Sequence, residues 1–153
     1  MPVEPSPATM SGMSARTALQ GEDGMSPMRV AEVMHAGLVS CASDASLDTV
    51  AALMSRRRIH CVVISGESEA SVWGVVSDVD LIAAASVRPL AEQAAGGSAM
   101  RPAVTIGPEE SLDVAARTMT EAGVAHLVVV DPVERRPVGV LSTLDLAGAL
   151  ADA

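Results

Sequence analysis

The chain contains no lysine, asparagine, phenylalanine or tyrosine, and all ten of its basic residues are arginine. Without lysine there is no Schiff-base chemistry, no lysine general base and no phosphate-gripping lysine of a Walker-type loop. Without Phe or Tyr, a bound base would have to rest on aliphatic side chains; Trp73 is the sole large aromatic residue and reads as core or interface packing. The two cysteines, Cys41 and Cys61, lie in apolar, strand-like segments. They are too few for a disulfide framework or a zinc site and read as buried, reduced thiols. The net charge of −9 excludes a general nucleic-acid surface, because binding a phosphate backbone needs a contiguous basic patch. No apolar run approaches the roughly 18 to 20 residues that cross a bilayer, and the start lacks a basic segment followed by an apolar one. These absences lead to the expectation of a soluble, cytoplasmic protein with no membrane or nucleic-acid partner.

What is present is a repeat. Gly74-Val75-Val76-Ser77-Asp78-Val79-Asp80-Leu81 recurs as Gly139-Val140-Leu141-Ser142-Thr143-Leu144-Asp145-Leu146, 65 residues later. The upstream segments Leu38 to Cys41 and Ala45 to Asp48 answer Ala103 to Ile106 and Glu110 to Asp113 at the same offset. Ile59 to Ile64 matches Ala125 to Val130 at an offset of 66, which places His60 opposite His126 and implies compensating insertions at two loops. With 153 residues that are 49% hydrophobic, the chain can bury a core shared between two such units.

Each unit reads as strand, helix, strand, strand, helix. Residues 1–27, rich in Pro, Ser, Gly and Met without any period, read as a disordered leader. Residues 28–88 form the first unit, opened by a short helix at Met28 to Met34, and residues 89–153 form the second, opened by a counterpart near Leu90 to Met100. Val50, Ala51, Leu53 and Met54 give the first main helix an apolar stripe over Leu47 to Arg58. Ser46 and Ser111 are its N-cap and that of its counterpart. Cys61 to Ile64 and Leu127 to Val130 are too short and too β-branched to be helices and read as buried strands.

Each unit closes on Ser-x-x-Asp at a helix start. An ionised carboxylate accepts hydrogen bonds only, so one Asp can take both hydroxyls of a ribose, and free backbone N–H groups at a helix start favour a phosphate. The same pattern is a capping box, with Ser bonding forward and the acid bonding back. Both readings stand on spacing alone; the preceding Gly, which permits close approach to the backbone, adds weight to a ligand.

This order of elements, the Gly-x-x-Ser-x-x-Asp-Leu closure and the His before an apolar strand resemble the CBS domain, here as a tandem pair or Bateman module over about residues 28 to 150. The resemblance implies an α/β (α+β) fold in which two CBS repeats pack through their sheets around a pseudo-two-fold axis. It implies a non-catalytic regulatory module that binds adenosine-containing ligands such as AMP, ADP or ATP in clefts between the repeats. By the same resemblance, Ser77, Asp80, Ser142 and Asp145 hold phosphate and ribose, while Val39, Ser40, Val104 and Thr105 enclose the base. His60 and His126 face the phosphate or else satisfy a backbone group, and Arg58 is the arginine of the 56–58 run that could reach a phosphate. His35 and Arg101, each directly after the Met that ends a lead-in, are expected at the surface. No catalytic residue, metal site or required cofactor is expected. The output passes to a homodimer partner or to another protein. The competing expectation is a structural dimerisation or interaction module with empty clefts.

Overall fold

The computed structural model describes residues 28–66 and 72–152. The leader expected over residues 1–27, the tip of the first turn and the side chain of Trp73 lie outside the described residues. The elements run α1 (Val30–Val33), β1 (His35–Ala36), β2 (Ser40–Ala42), α2 (Leu47–Arg57), β3 (Cys61–Ser65), β4 (Val72–Ser77) and α3 (Asp78–Ala85). A single 3₁₀ turn at Leu90–Glu92 stands where a second lead-in helix was expected. The chain continues through β5 (Thr105–Ile106), α4 (Leu112–Ala122), β6 (His126–Val130), β7 (Pro137–Ser142) and α5 (Thr143–Ala151).

In each unit a two- or three-residue strand runs parallel to the central strand, and the intervening helix makes the crossover that parallel pairing requires. The central strand then pairs antiparallel with the strand after it. Helices α2 and α4 bury Leu47, Val50 and Met54, and Leu112, Ala115 and Met119, at helical spacing against these strands. Along β3, Val62 and Ile64 face the helices. Cys61 and Val63 point to the other side and are buried as well, as is Val128 of β6. A strand apolar on both faces needs cover on both, and the second cover is the other unit.

Strand register removes the expected insertions. Cys61 pairs with Ser77 and His126 pairs with Ser142, so the copies stay 65 residues apart throughout. The structural counterpart of His126 is therefore Cys61, and His60 corresponds to Ala125. The helix ends agree: Arg58 and Gly123 both take the left-handed conformation, at φ 53° and 66°. No link is shortened; chance similarity of the apolar strand residues produced the offset of 66.

The lead-ins are exchanged. The strand β1 joins the second unit's sheet, with His35 opposite Val140, and Val30 is fully buried among Ile106, Leu112, Leu127 and Leu141. Reciprocally, Arg101 pairs with Val75 of β4, and Ala95 and Ala99 complete the first unit's core. Gly74 and Gly139 allow this. A Cβ on Gly74 would lie 2.3 Å from the Arg101 carbonyl oxygen, and one on Gly139 would lie 2.6 Å from that of His35. The close approach that a glycine before Ser-x-x-Asp permits is thus made by the other unit's lead-in backbone.

Candidate functional site

The two closing motifs fold as full capping boxes. Asp80 N–H donates to Ser77 Oγ at 3.2 Å, and Ser77 N–H donates to Asp80 Oδ2 at 3.0 Å. Asp145 N–H reaches Ser142 Oγ at 3.1 Å, and Ser142 N–H reaches Asp145 Oδ2 at 2.8 Å. One oxygen of each acid is committed to its helix. The other oxygen meets the opposite lead-in: Arg101 Nε donates to Asp80 Oδ1 at 3.2 Å, and His35 Nε2 lies 2.9 Å from Asp145 Oδ1. The two acids are 12% and 9% exposed, against 73% and 80% for their basic partners, so each acid is a largely covered anchor under a solvent-facing base. His35 and Arg101 do lie at the surface, but they also touch the acids. Their shared position after Met34 and Met100 marked them as equivalent, but nothing local in the sequence showed that they reach the acids.

The expected ligand residues divide into groups. Asp80 lines a cavity of about 400 Å³ together with Ala83, Ala84, Val87, Arg88, Ser98 and Arg101. Arg58 and His60 line a second, more open groove of about 420 Å³ between α2 and α3, with Met54, Asp78, Leu81 and Ile82. The two hollows lie on opposite sides of α3, so Arg58 and Asp80 do not share one site. Val39 and Val104 are half-buried, and their carbonyls accept from Val63 N–H at 3.0 Å and Val128 N–H at 2.9 Å. Ser40 and Thr105 are exposed on the adjoining strands. Ser77, Ser142, Asp145, His126, Val39, Ser40, Val104 and Thr105 line neither hollow.

His60 Nδ1 bonds Asp78 Oδ2 at 2.8 Å, and this bond is the main reason the Asp78 carboxyl sits below the usual carboxylate range. His126 differs: burial pushes its pKa down, against the pull of Asp78, Asp145 and Asp80. It pairs with Ser142, the N-cap of α5. Cys61, its counterpart, is pushed up to about 12, first by burial and then by Asp80 and Asp78, so it is a neutral thiol at physiological pH. Ser111 caps α4 through a bond from Val114 N–H at 3.3 Å. Ser46 does not cap α2 in this way; its hydroxyl turns to the Asp48 carboxylate and to Thr49 Oγ1 at 3.0 Å. Among the described residues no group of three His, Cys, Asp or Glu is placed to hold a metal, and no helix is long and apolar enough to cross a membrane.

Comparison with known proteins places this geometry. The family model described as CBS domain matches twice, over residues 30–87 and 97–152. Among solved structures, the CBS domain of the bacterial CNNM/CorC family Mg2+ transporter, with a bound inhibitor, superposes with a TM-score of 0.73 at 18% identity. That match covers 97% of this chain and 88% of the other. The CBS domain pair of protein MJ0100, in complex with 5-methylthioadenosine and S-adenosyl-L-methionine, gives 0.72 at 19% identity, with 82% and 97% covered. The CBS domain protein PAE2072 from Pyrobaculum aerophilum, complexed with AMP, gives 0.72 at 26% identity, with 82% and 100% covered. A comparison with curated protein sequences gave no match. Two matched copies over most of the length, the shared register of their strands and the fold of solved CBS pairs together show that this chain belongs to the CBS domain family and carries a tandem CBS pair.

Proposed function

We propose that the chain is a non-catalytic regulatory module that binds an adenosine-containing ligand, such as AMP, ADP or ATP, and passes its level to a partner. CBS pairs are generally regulatory modules, and similar pairs hold AMP in PAE2072 and S-adenosyl-L-methionine in MJ0100. The observation that carries the reading is Asp80. Its carboxylate lines a cavity of about 400 Å³, within the size range of small-molecule sites, and among the described residues its Oδ1 is held only by the exposed Arg101, which a diol can replace. Asp145 carries the matching contact under His35 but lines neither hollow. Assembly as a homodimer fits the outward-facing apolar residues Val79, Ile82, Leu144 and Leu150 of α3 and α5.

Calorimetric titration with AMP, ADP, ATP and S-adenosyl-L-methionine tests the proposal. Asp80→Ala or Asp145→Ala is expected to weaken the ligand that binds by about 1.5 to 3 kcal/mol, the worth of a charge-assisted bond. Unchanged affinity in both variants would overturn the assignment of the acids. A second reading, an assembly module with empty clefts, is favoured by the fact that each carboxylate is already bonded on both oxygens. It predicts no heat with any of these ligands and an oligomer indifferent to both substitutions.

A further inference from the structure

The hollow beside Asp80 has a charge balance opposite to that of the chain. Two guanidinium groups, Arg88 and Arg101, and one carboxylate, Asp80, line it, in a protein whose net charge is −9. Arg101 spends only Nε on Asp80, leaving its terminal N–H donors outside that bond. Arg88 forms no ion pair or hydrogen bond through its side chain with any other described residue. Ser98 adds an exposed hydroxyl, and the apolar part of the lining is the buried Ala84 and Ala99 with the exposed Ala83 and Val87. The second unit lacks this arrangement: the base over Asp145 is His35. In the chain, the position 65 residues beyond Arg88 is Ala153.

We propose that this cavity is an anion subsite, and that it selects nucleotides phosphorylated on the ribose edge, at the 2′ or 3′ hydroxyl. The proposal rests on the reading above, in which a ribose faces Asp80. A hydroxyl that takes Asp80 Oδ1 in place of Arg101 leaves the displaced guanidinium beside the ribose edge, because Arg101 Nε stands 3.2 Å from that oxygen before the exchange. The substituent that meets Arg101 and Arg88 is then the one carried on the diol itself. The remaining free hydroxyl donates to Asp80, and the phosphate takes the two guanidinium groups, whose planar donor forks match its oxygens. No bond is made or broken; the step is binding only.

The test is calorimetric titration of the full chain at fixed salt with adenosine 5′-monophosphate and with adenosine 2′,5′- and 3′,5′-bisphosphate. Inorganic phosphate is a separate probe. The chain, Arg88→Ala and Arg88→Lys are compared; Arg88 is exposed, and its bonds with Ala84 and Gln93 run through the backbone, which both variants keep. One of the bisphosphates is expected to bind at least about tenfold more tightly than the 5′-monophosphate. Arg88→Ala should abolish that advantage and Arg88→Lys should restore part of it, each read as the ratio of bisphosphate to 5′-monophosphate affinity within the same variant. Equal or weaker binding of both bisphosphates would overturn the subsite while leaving the ribose reading at Asp80 intact. If no adenosine compound binds, the ribose reading fails and ribose-edge selection fails with it. Stabilisation by inorganic phosphate that Arg88→Ala removes would then uphold the anion subsite alone, and its absence would overturn that too.

Discussion

A single residue in this chain does different work in the two copies, and His126 is the clearest case. It opens β6, half-buried, while its counterpart Cys61 opens β3 and is a neutral thiol. Burial lowers the folded-state pKa of His126 below the unfolded value of about 6.5. Between those two values the unfolded chain holds a proton that the folded chain does not, so stability rises with pH across that window and is fully present above it. Denaturant melts at stepped pH should show stability falling as pH drops below about 6.5, with a shallower slope in His126→Gln. An equal slope in the variant would place the titration elsewhere. Asp78 acts lower on the scale: its carboxyl is lowered mainly by His60, so its contribution is present above the ordinary carboxylate value and is lost as pH falls through the lower folded value.

At the scale of the element, the ends of α2 and α4 show how one backbone shape accepts two sequences. Both helices close on a left-handed residue whose N–H returns to the carbonyl of Met54 or Met119. Gly123 adopts φ 66° freely, whereas Arg58 at φ 53° carries a Cβ that crowds the neighbouring carbonyl. Arg58→Gly is therefore expected to stabilise the fold by about 0.5 to 1 kcal/mol in chemical denaturation, the strain relief being partly offset by added freedom of the unfolded chain. Because Arg58 lines the groove between α2 and α3, the same variant separates structure from binding. A more stable protein with weaker nucleotide binding would give Arg58 a ligand role, and one with unchanged binding would leave it a helix end only.

Across the whole molecule, the exchanged lead-ins hold the two units together. Each core is completed by chain that enters the other unit, and each exchange passes over a glycine. Gly74→Ala and Gly139→Ala are each expected to cost about 1 to 3 kcal/mol, because a Cβ there meets a backbone carbonyl that has nowhere to move. Thermal or denaturant melts check this, and a loss below about 0.5 kcal/mol would show that the lead-ins can shift aside. Since the same lead-ins carry His35 and Arg101 onto Asp145 and Asp80, loosening them should also disturb ligand binding at the acids. Under the proposed function, occupancy of a cleft and the grip between units would be mechanically linked.

Local chemistry was enough to read much of this. The duplication, the apolar stripes of α2 and α4, the β-branched central strands and both Ser-x-x-Asp helix starts follow from spacing and side-chain type, which act over a few residues and are printed in the chain. Register was not legible in the same way: Val and Ile repeat so densely through 61–64 and 127–130 that a slip of one residue matches equally well, and only the pairing of Cys61 with Ser77 and His126 with Ser142 decides between them. Nor could spacing tell that Arg101 and His35 would reach the acids, since each lies far along the chain from its partner. That contact depends on which unit each lead-in crosses to, and long-range packing alone fixes the choice.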